Sequence, residues 1–149
     1  NGIVEYSEVY AWLHKSNDKG YYLSINTEGT TKALEISTEH LLMLNGKYRK
    51  AKYVKAGDII SDKKVLSVNA VEATGLYTPV TRNGRIVIDG INCSCYAEYS
   101  HGFSHFMVSM FLKPLVKLMP TIIPNWLDKR GINKFAVIVS RLIGNRAGI

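Results

Sequence analysis

The chain is poor in cysteine, with only Cys93 and Cys95 among 149 residues. Two cysteines exclude a disulfide framework, and the lack of any Cys-x-x-Cys pair removes the usual zinc pattern. No repeat recurs and no segment is low in complexity. Lys and Arg outnumber Asp and Glu by 19 to 12, for a net charge of +7, yet no dense basic run appears. The scattered charge reads first as a solvated surface, and aromatic and basic positions do not interleave on one strand face. A basic β module binding nucleic acid or an anionic surface is therefore the weaker alternative, and no nucleic acid is expected as a partner. An unbroken membrane-spanning run is also lacking, because Lys113, Pro114, Lys117 and Pro120 interrupt the apolar stretch 103–123. A starting Met and a signal peptide are absent, so the chain reads as a segment of a longer precursor.

What is present is the composition of a globular domain, 46% hydrophobic and 21% charged. Its first two thirds read as β. Val4–Val9 and Tyr21–Asn26 are strand candidates around a turn cluster at Ser16–Gly20, and Thr31–Ser37 alternates apolar and polar residues. Leu41–Leu44 and Lys47–Tyr53 flank Asn45-Gly46, a hairpin signal, because both residues of the favoured turn need positive φ. A turn at Val54–Asp58 precedes Ile59-Ile60, and Lys64–Thr74 is a further long strand. Gly75–Ala97 reads as two strands about Asn83-Gly84, then a third carrying both cysteines. The fold class expected is all-β.

Beyond Ala97 the pattern changes. Phe103, Phe106, Met107, Met110 and Phe111 recur at helical spacing, and Pro114 is expected to end or kink that helix. Lys134–Ile143 is a second helix candidate, with Gly144 as its C-cap. The expected organisation is a β domain over 1–98 and an apolar, basic helical tail over 99–149. That tail either packs on the sheet or faces lipid.

The residues that carry chemistry are few. Ser37-Thr38-Glu39-His40 sets a hydroxyl three residues before an imidazole, Cys95 lies on the last strand, and His14 follows Trp12. His101 and His105 share a helical face but have no third ligand, so no metal site is assigned. Cys93 and Cys95, two apart on a strand, share a face. Their Cα atoms lie near the outer limit for a disulfide, so at least one is a free thiol or pairs outside this chain.

Leu34-Glu35-Ile36-Ser37-Thr38-Glu39-His40-Leu41 resembles the central block of the Hint (hedgehog/intein) modules, a Thr-x-x-His followed by an apolar residue. Ala73–Gly90, followed by Ser94-Cys95-Tyr96-Ala97, resembles the later part of the autoprocessing domain of hedgehog proteins, and Tyr6-Ser7-Glu8-Val9 also fits. The resemblance implies self-processing. A cysteine opening the module attacks the preceding carbonyl to form a thioester, and a sterol hydroxyl then releases the upstream part as a lipid ester. On this pattern His40 is the family histidine, Ser37 stands at its threonine, and Cys95 is the second family cysteine. His14 falls where the family carries an aspartate that activates the sterol hydroxyl, and imidazole is also a base near neutral pH.

The implied partners are the chain's own upstream segment in cis, a sterol as co-substrate without other cofactor, and a membrane surface reached through 103–123. The implied location is the secretory pathway or the extracellular space. No cysteine precedes Tyr6, so the nucleophile and the opening strands are expected upstream of Asn1. An inactive Hint remnant that binds or scaffolds is the main alternative.

Overall fold

Two strands of nineteen residues, β1 (Val9–Thr27) and β6 (Lys63–Thr81), run antiparallel along one another and carry the rest of the chain. The computed structural model describes residues 5–97, 101–118 and 131–132. Shorter strands attach to this ribbon: β2 (Leu34–Ile36), β3 (His40–Leu44), β4 (Lys47–Lys50), β5 (Ile59–Ile60), β7 (Arg85–Ile88) and β8 (Ile91–Ala97). The order is β2-β1-β6-β5-β3-β8-β7, with β4 on the side of β3. Every pairing is antiparallel, so the all-β expectation holds. After residue 98 the described residues add one helix, α1 (His101–Leu118), and a short strand, β9 (Gly131–Ile132), which pairs with β1. The second helix candidate, Lys134–Ile143, lies outside the described residues.

The ribbon is one element where the sequence suggests several. Ser16–Gly20 does not reverse the chain. Between the pairs Ser16–Leu76 and Lys19–Thr74, β1 takes three steps against two on β6, which is a β-bulge. Ser16 Oγ accepts the Asp18 N–H at 3.0 Å, so turn-forming residues satisfy themselves locally while both strands continue. Another bulge falls between Trp12 and His14, opposite Pro79 and Thr78. A proline donates no ladder hydrogen bond, and a bulge is where a central strand tolerates one.

The ribbon joins two cores. Ile25 and Val65 belong to the larger, with Leu34, Leu42, Ile60 and Cys93. Ala11 and Val80 belong to the smaller, with Cys95, Tyr96, Val108 and Leu112.

The first hairpin forms as read: Asn45 and Gly46 have φ of 48° and 80° between β3 and β4. β4 is shorter than expected, because Ala51–Tyr53 winds into a 3-10 turn. The second hairpin is displaced. β7 pairs with β8 through Asp89-Gly90, where φ is 48° and 80°. At Asn83-Gly84 only the glycine has positive φ (69°), and the Thr81 hydroxyl takes the Arg85 N–H at 3.1 Å. The Gly84 N–H also reaches Thr81 O at 3.1 Å, so main chain and side chain of Thr81 together close that turn.

Candidate active site

The loop between β2 and β3 holds Ser37, Thr38 and Glu39, and β3 opens on His40. The His40 N–H donates to Ser37 O at 3.1 Å, which folds the loop into a turn. Lys50 and Lys52 donate to opposite oxygens of the Glu39 carboxylate at 2.6 and 2.7 Å, and the Lys52 N–H reaches Thr38 O at 2.9 Å. These lysine hydrogen bonds hold Glu39 below the usual carboxylate range. Every residue of the Ser-x-x-His block is therefore tied to its neighbours.

β8 approaches from the other side. His40 pairs with Ala97 and Leu42 with Cys93, so two steps on β3 face four on β8. This irregularity breaks the in–out alternation, and Cys93, Ser94, Cys95 and Tyr96 are all buried. It also separates the cysteines. Cys93 enters the larger core and Cys95 the smaller, although spacing alone put them on one face. Both are free thiols.

The same irregularity turns the Ser94 carbonyl toward His40, whose Nε2 lies 2.8 Å from it. A carbonyl only accepts, so Nε2 carries the hydrogen and Nδ1 of the neutral ring keeps its lone pair. Burial pulls the His40 pKa below the ordinary imidazole value, and the bond to Ser94 opposes that shift.

Ser37, His40, Ser94 and Cys95 line one cavity of about 190 Å³, closed on the ribbon side by Gly75 and Tyr77. Cys95 is 1% exposed. Its N–H donates to Gly84 O at 2.9 Å, and its sulfur lies 3.4 Å from Thr81 Oγ1. Burial raises the Cys95 thiol pKa, and the contacts with Thr81 oppose the rise. Burial, with Cys95 adding to it, pushes Cys93 up to about 12, as suits a core thiol.

Three of the four residues chosen from sequence thus share one cavity. His14 does not line it. His14 sits on β1 opposite Thr78, which does line it, and next to Ile132 of β9. Burial lowers its pKa against the attraction of Asp18. The side chains of His101 and His105 lie outside the described ones. Among the described residues, no three His, Cys, Asp or Glu side chains group as metal ligands.

Ser94 and Thr81 fall inside the blocks that carry the family resemblance but receive no role from sequence, and neither do the lysines on Glu39. The lysines were accessible to it: a two-residue loop at Asn45-Gly46 fixes the register that sets Lys50 opposite Leu41, beside Glu39. Ser94 acts through its main chain and leaves no such mark.

On α1 the docked stripe is Val108, Leu112 and the partly buried Val116, at spacings of four. Phe106, Met110 and Phe111, read from sequence as part of the apolar face, point outward, and Phe106 is 60% exposed. The helix passes through Pro114 without ending. Leu112 and Val116 straddle that proline, and their packing holds the turns on both sides. No described helix is long and apolar enough to cross a membrane.

The family model of the Hint module matches residues 1–143. Warthog protein 6 of Caenorhabditis elegans is 26% identical over 64% of the chain, and Sonic hedgehog protein of Xenopus laevis is 29% identical over 70%. Protein hedgehog of Drosophila hydei is 24% identical over 87%. The aligned parts make up 19%, 28% and 29% of those three proteins, so the chain spans less than a third of the relatives it matches. The chain belongs to the Hint module family, in the branch of hedgehog-related autoprocessing domains.

Proposed function

We propose that this module cleaves its own precursor by an N-to-S acyl shift and passes the upstream part to a lipid alcohol. The observation that carries the reading is the single cavity lined by Ser37, His40 and Cys95, which β2, β3 and β8 bring together within a Hint module. The nucleophile is a cysteine at the start of the module, upstream of Asn1, and its scissile carbonyl sits in that cavity.

The chemistry follows from the ring orientation. With Nε2–H held by Ser94, Nδ1 is the nitrogen free to move a proton. It accepts the proton of the attacking thiol as the carbon–sulfur bond forms. It then returns that proton to the nitrogen as the carbon–nitrogen bond breaks, leaving a thioester and a free amine. A lowered pKa serves both steps, because the neutral ring is the base at pH 7 and its conjugate acid is strong. Ser37 supports the scissile amide through its hydroxyl. Cys95 keeps a second thiol beside the acyl group.

The second step is attack of a sterol-like hydroxyl on the thioester, with His14 as its base at the Thr78 edge of the cavity. The outward Phe106, Met110 and Phe111 face on α1 would engage the sterol or the membrane that supplies it. The precursor then travels the secretory pathway.

The test is a precursor with its upstream segment and first cysteine intact. Excess thiol should release the upstream part, and His40→Ala should reduce release at least a hundredfold. A sterol should release it with a mass increase equal to the sterol less water. Failure of thiol cleavage would identify an inactive remnant, and undiminished cleavage in His40→Ala would remove His40 from the proton transfer. Thiol cleavage without sterol addition would confine the function to acyl shift and hydrolysis.

A further inference from the structure

The Thr81 hydroxyl has more neighbours than hydrogen bonds to give. Thr81 is 4% exposed, at the end of β6. Its Oγ1 lies 2.8 Å from Arg85 O, 2.9 Å from Asn83 Oδ1, 3.1 Å from the Arg85 N–H and 3.4 Å from Cys95 Sγ. A hydroxyl offers one hydrogen and two lone pairs. The Arg85 N–H occupies one lone pair. The hydrogen therefore has three competing acceptors, and one lone pair remains for an S–H donor.

We propose that Thr81 is the positioning residue of Cys95, holding its sulfur as a thiol and turning its hydroxyl hydrogen onto that sulfur as a thiolate forms. In the neutral state Cys95 S–H donates to Thr81 Oγ1, while the Thr81 O–H points to Arg85 O or Asn83 Oδ1. When the thiol proton leaves to solvent, the hydroxyl rotates about its Cβ–Oγ bond and donates to sulfur. The Arg85 carbonyl and the Asn83 amide oxygen each lose only a shared partner. No covalent bond changes other than S–H.

The backbone makes this contact stable. The Cys95 N–H is fixed to Gly84 O at 2.9 Å, inside the turn that Thr81 closes. Arg85 pairs with Ser94, so turn and cysteine belong to one corner of the fold. Titratable groups around the sulfur are Tyr10 on β1, Tyr48 on β4, Cys93 and Tyr96 on β8, and His40 across the cavity. The tyrosines and Cys93 all have raised pKa values, so none adds a second anion beside a Cys95 thiolate near pH 8. The Arg85 guanidinium, whose charge acts on Tyr48, is the cation on the adjoining β7. Thr81 meets the sulfur through both its hydroxyl, at 3.4 Å, and its main chain, and Thr81→Val removes only the hydroxyl.

Only the consequence for processing rests on the proposed self-cleavage; the thiol's behaviour is measured without it. The folded chain is alkylated with iodoacetamide between pH 7 and 10, and fragment mass spectrometry separates Cys95 from Cys93. Rate rises with the thiolate fraction until the thiol titrates. Thr81→Val keeps shape and removes the hydroxyl. It should slow Cys95 alkylation about tenfold at each pH, as loss of one hydrogen bond to a charged group implies. Thr81→Ser should stay within about twofold of wild type, and Asn83→Ala should not slow the reaction. An unchanged Thr81→Val rate overturns the proposal. So does a Thr81→Ser or Asn83→Ala rate that falls like Thr81→Val, since the effect would then come from turn rigidity. If Thr81→Val does not fold, Thr81→Ala removes the same hydroxyl and is read by the same criterion: an unchanged Cys95 rate overturns the proposal. Alkylation results as expected, together with a precursor that fails to cleave, would leave Thr81 in place and remove only the processing reading.

Discussion

His40 Nε2 meets the main-chain oxygen of Ser94 at 2.8 Å, across fifty-four residues of sequence. The contact fixes the tautomer of a half-buried ring and ties β3 to the irregular part of β8. It also has a thermodynamic consequence. The folded state lowers the His40 pKa, chiefly by burial, below the ordinary value of 6.5. As pH falls through 6.5 the unfolded chain takes up a proton that the native ring still refuses. Stability is thus fully present above the unfolded pKa and is lost as pH falls toward the folded one. His14 is shifted in the same direction and adds to the slope. Urea unfolding between pH 7.5 and 5 should show falling stability in the wild type and a shallower fall in His40→Gln. Parallel slopes would mean that the ring is as wet folded as unfolded.

The clamp on Glu39 predicts a separation of stability from rate. Lys50 and Lys52 hold a partly exposed carboxylate, so Glu39→Gln should reduce stability by only about 0.5–1 kcal/mol. The same change frees the turn that carries Ser37 and His40. A small displacement of a proton-transfer group lowers rate far more than stability, so thiol-induced cleavage should slow about tenfold or more. A charge swap, Glu39→Lys with Lys50→Glu, should recover part of that loss. If cleavage keeps pace with the small stability change, the clamp does not position His40.

The elements legible in the sequence were those set by local chemistry. Asn45-Gly46 forced its own turn, and Leu34 and Ile36 alternate with Glu35 as a half-buried strand requires. Ser37 and His40 were legible because a short block on one loop keeps its spacing in any fold. Long-range pairing was not legible. Ser16–Gly20 has turn composition, and only the register of β6 alongside shows that the strand runs through it. Asp89-Gly90 carried the same signal as Asn83-Gly84, and the choice between them depended on which strand lay beside β7. The Cys93–Cys95 spacing implied one face, and the β8 irregularity, invisible in composition, put them in different cores.

The two sides of α1 should respond oppositely to mutation. Leu112 is 1% exposed in the smaller core, and Leu112→Ala should reduce stability by about 2–4 kcal/mol. Phe106 and Met110 are outward, so Phe106→Ser with Met110→Ser should leave the unfolding midpoint within about 0.5 kcal/mol of wild type. On the proposed lipid role the double variant should bind phosphatidylcholine–sterol vesicles more weakly in a flotation assay. A large stability loss in the double variant would show that this face is packed, and unchanged flotation would remove it from lipid contact.

Gly75 and Gly46 offer a controlled comparison at the ribbon side of the cavity. Both have positive φ, 96° and 80°, so alanine is strained at either. A Cβ at Gly46 meets nothing within 4 Å, whereas one at Gly75 lies 2.7 Å from the Tyr77 ring. Gly46→Ala therefore measures backbone strain alone, about 1 kcal/mol or somewhat more. Gly75→Ala adds displacement of Tyr77, which bonds Asn17 and lines the cavity, and strains the carbonyl that takes the Tyr22 hydroxyl at 3.0 Å. Its loss should be larger, about 2–3 kcal/mol, and thiol-induced cleavage should fall with it. Adding Tyr77→Ala to Gly75→Ala should recover the clash but not the strain, bringing the loss from Gly75→Ala, measured in the Tyr77→Ala background, down to that of Gly46→Ala. Equal losses for Gly46→Ala and Gly75→Ala in the wild-type background would show that Tyr77 moves aside freely, and the ribbon would then not fix the wall of the cavity.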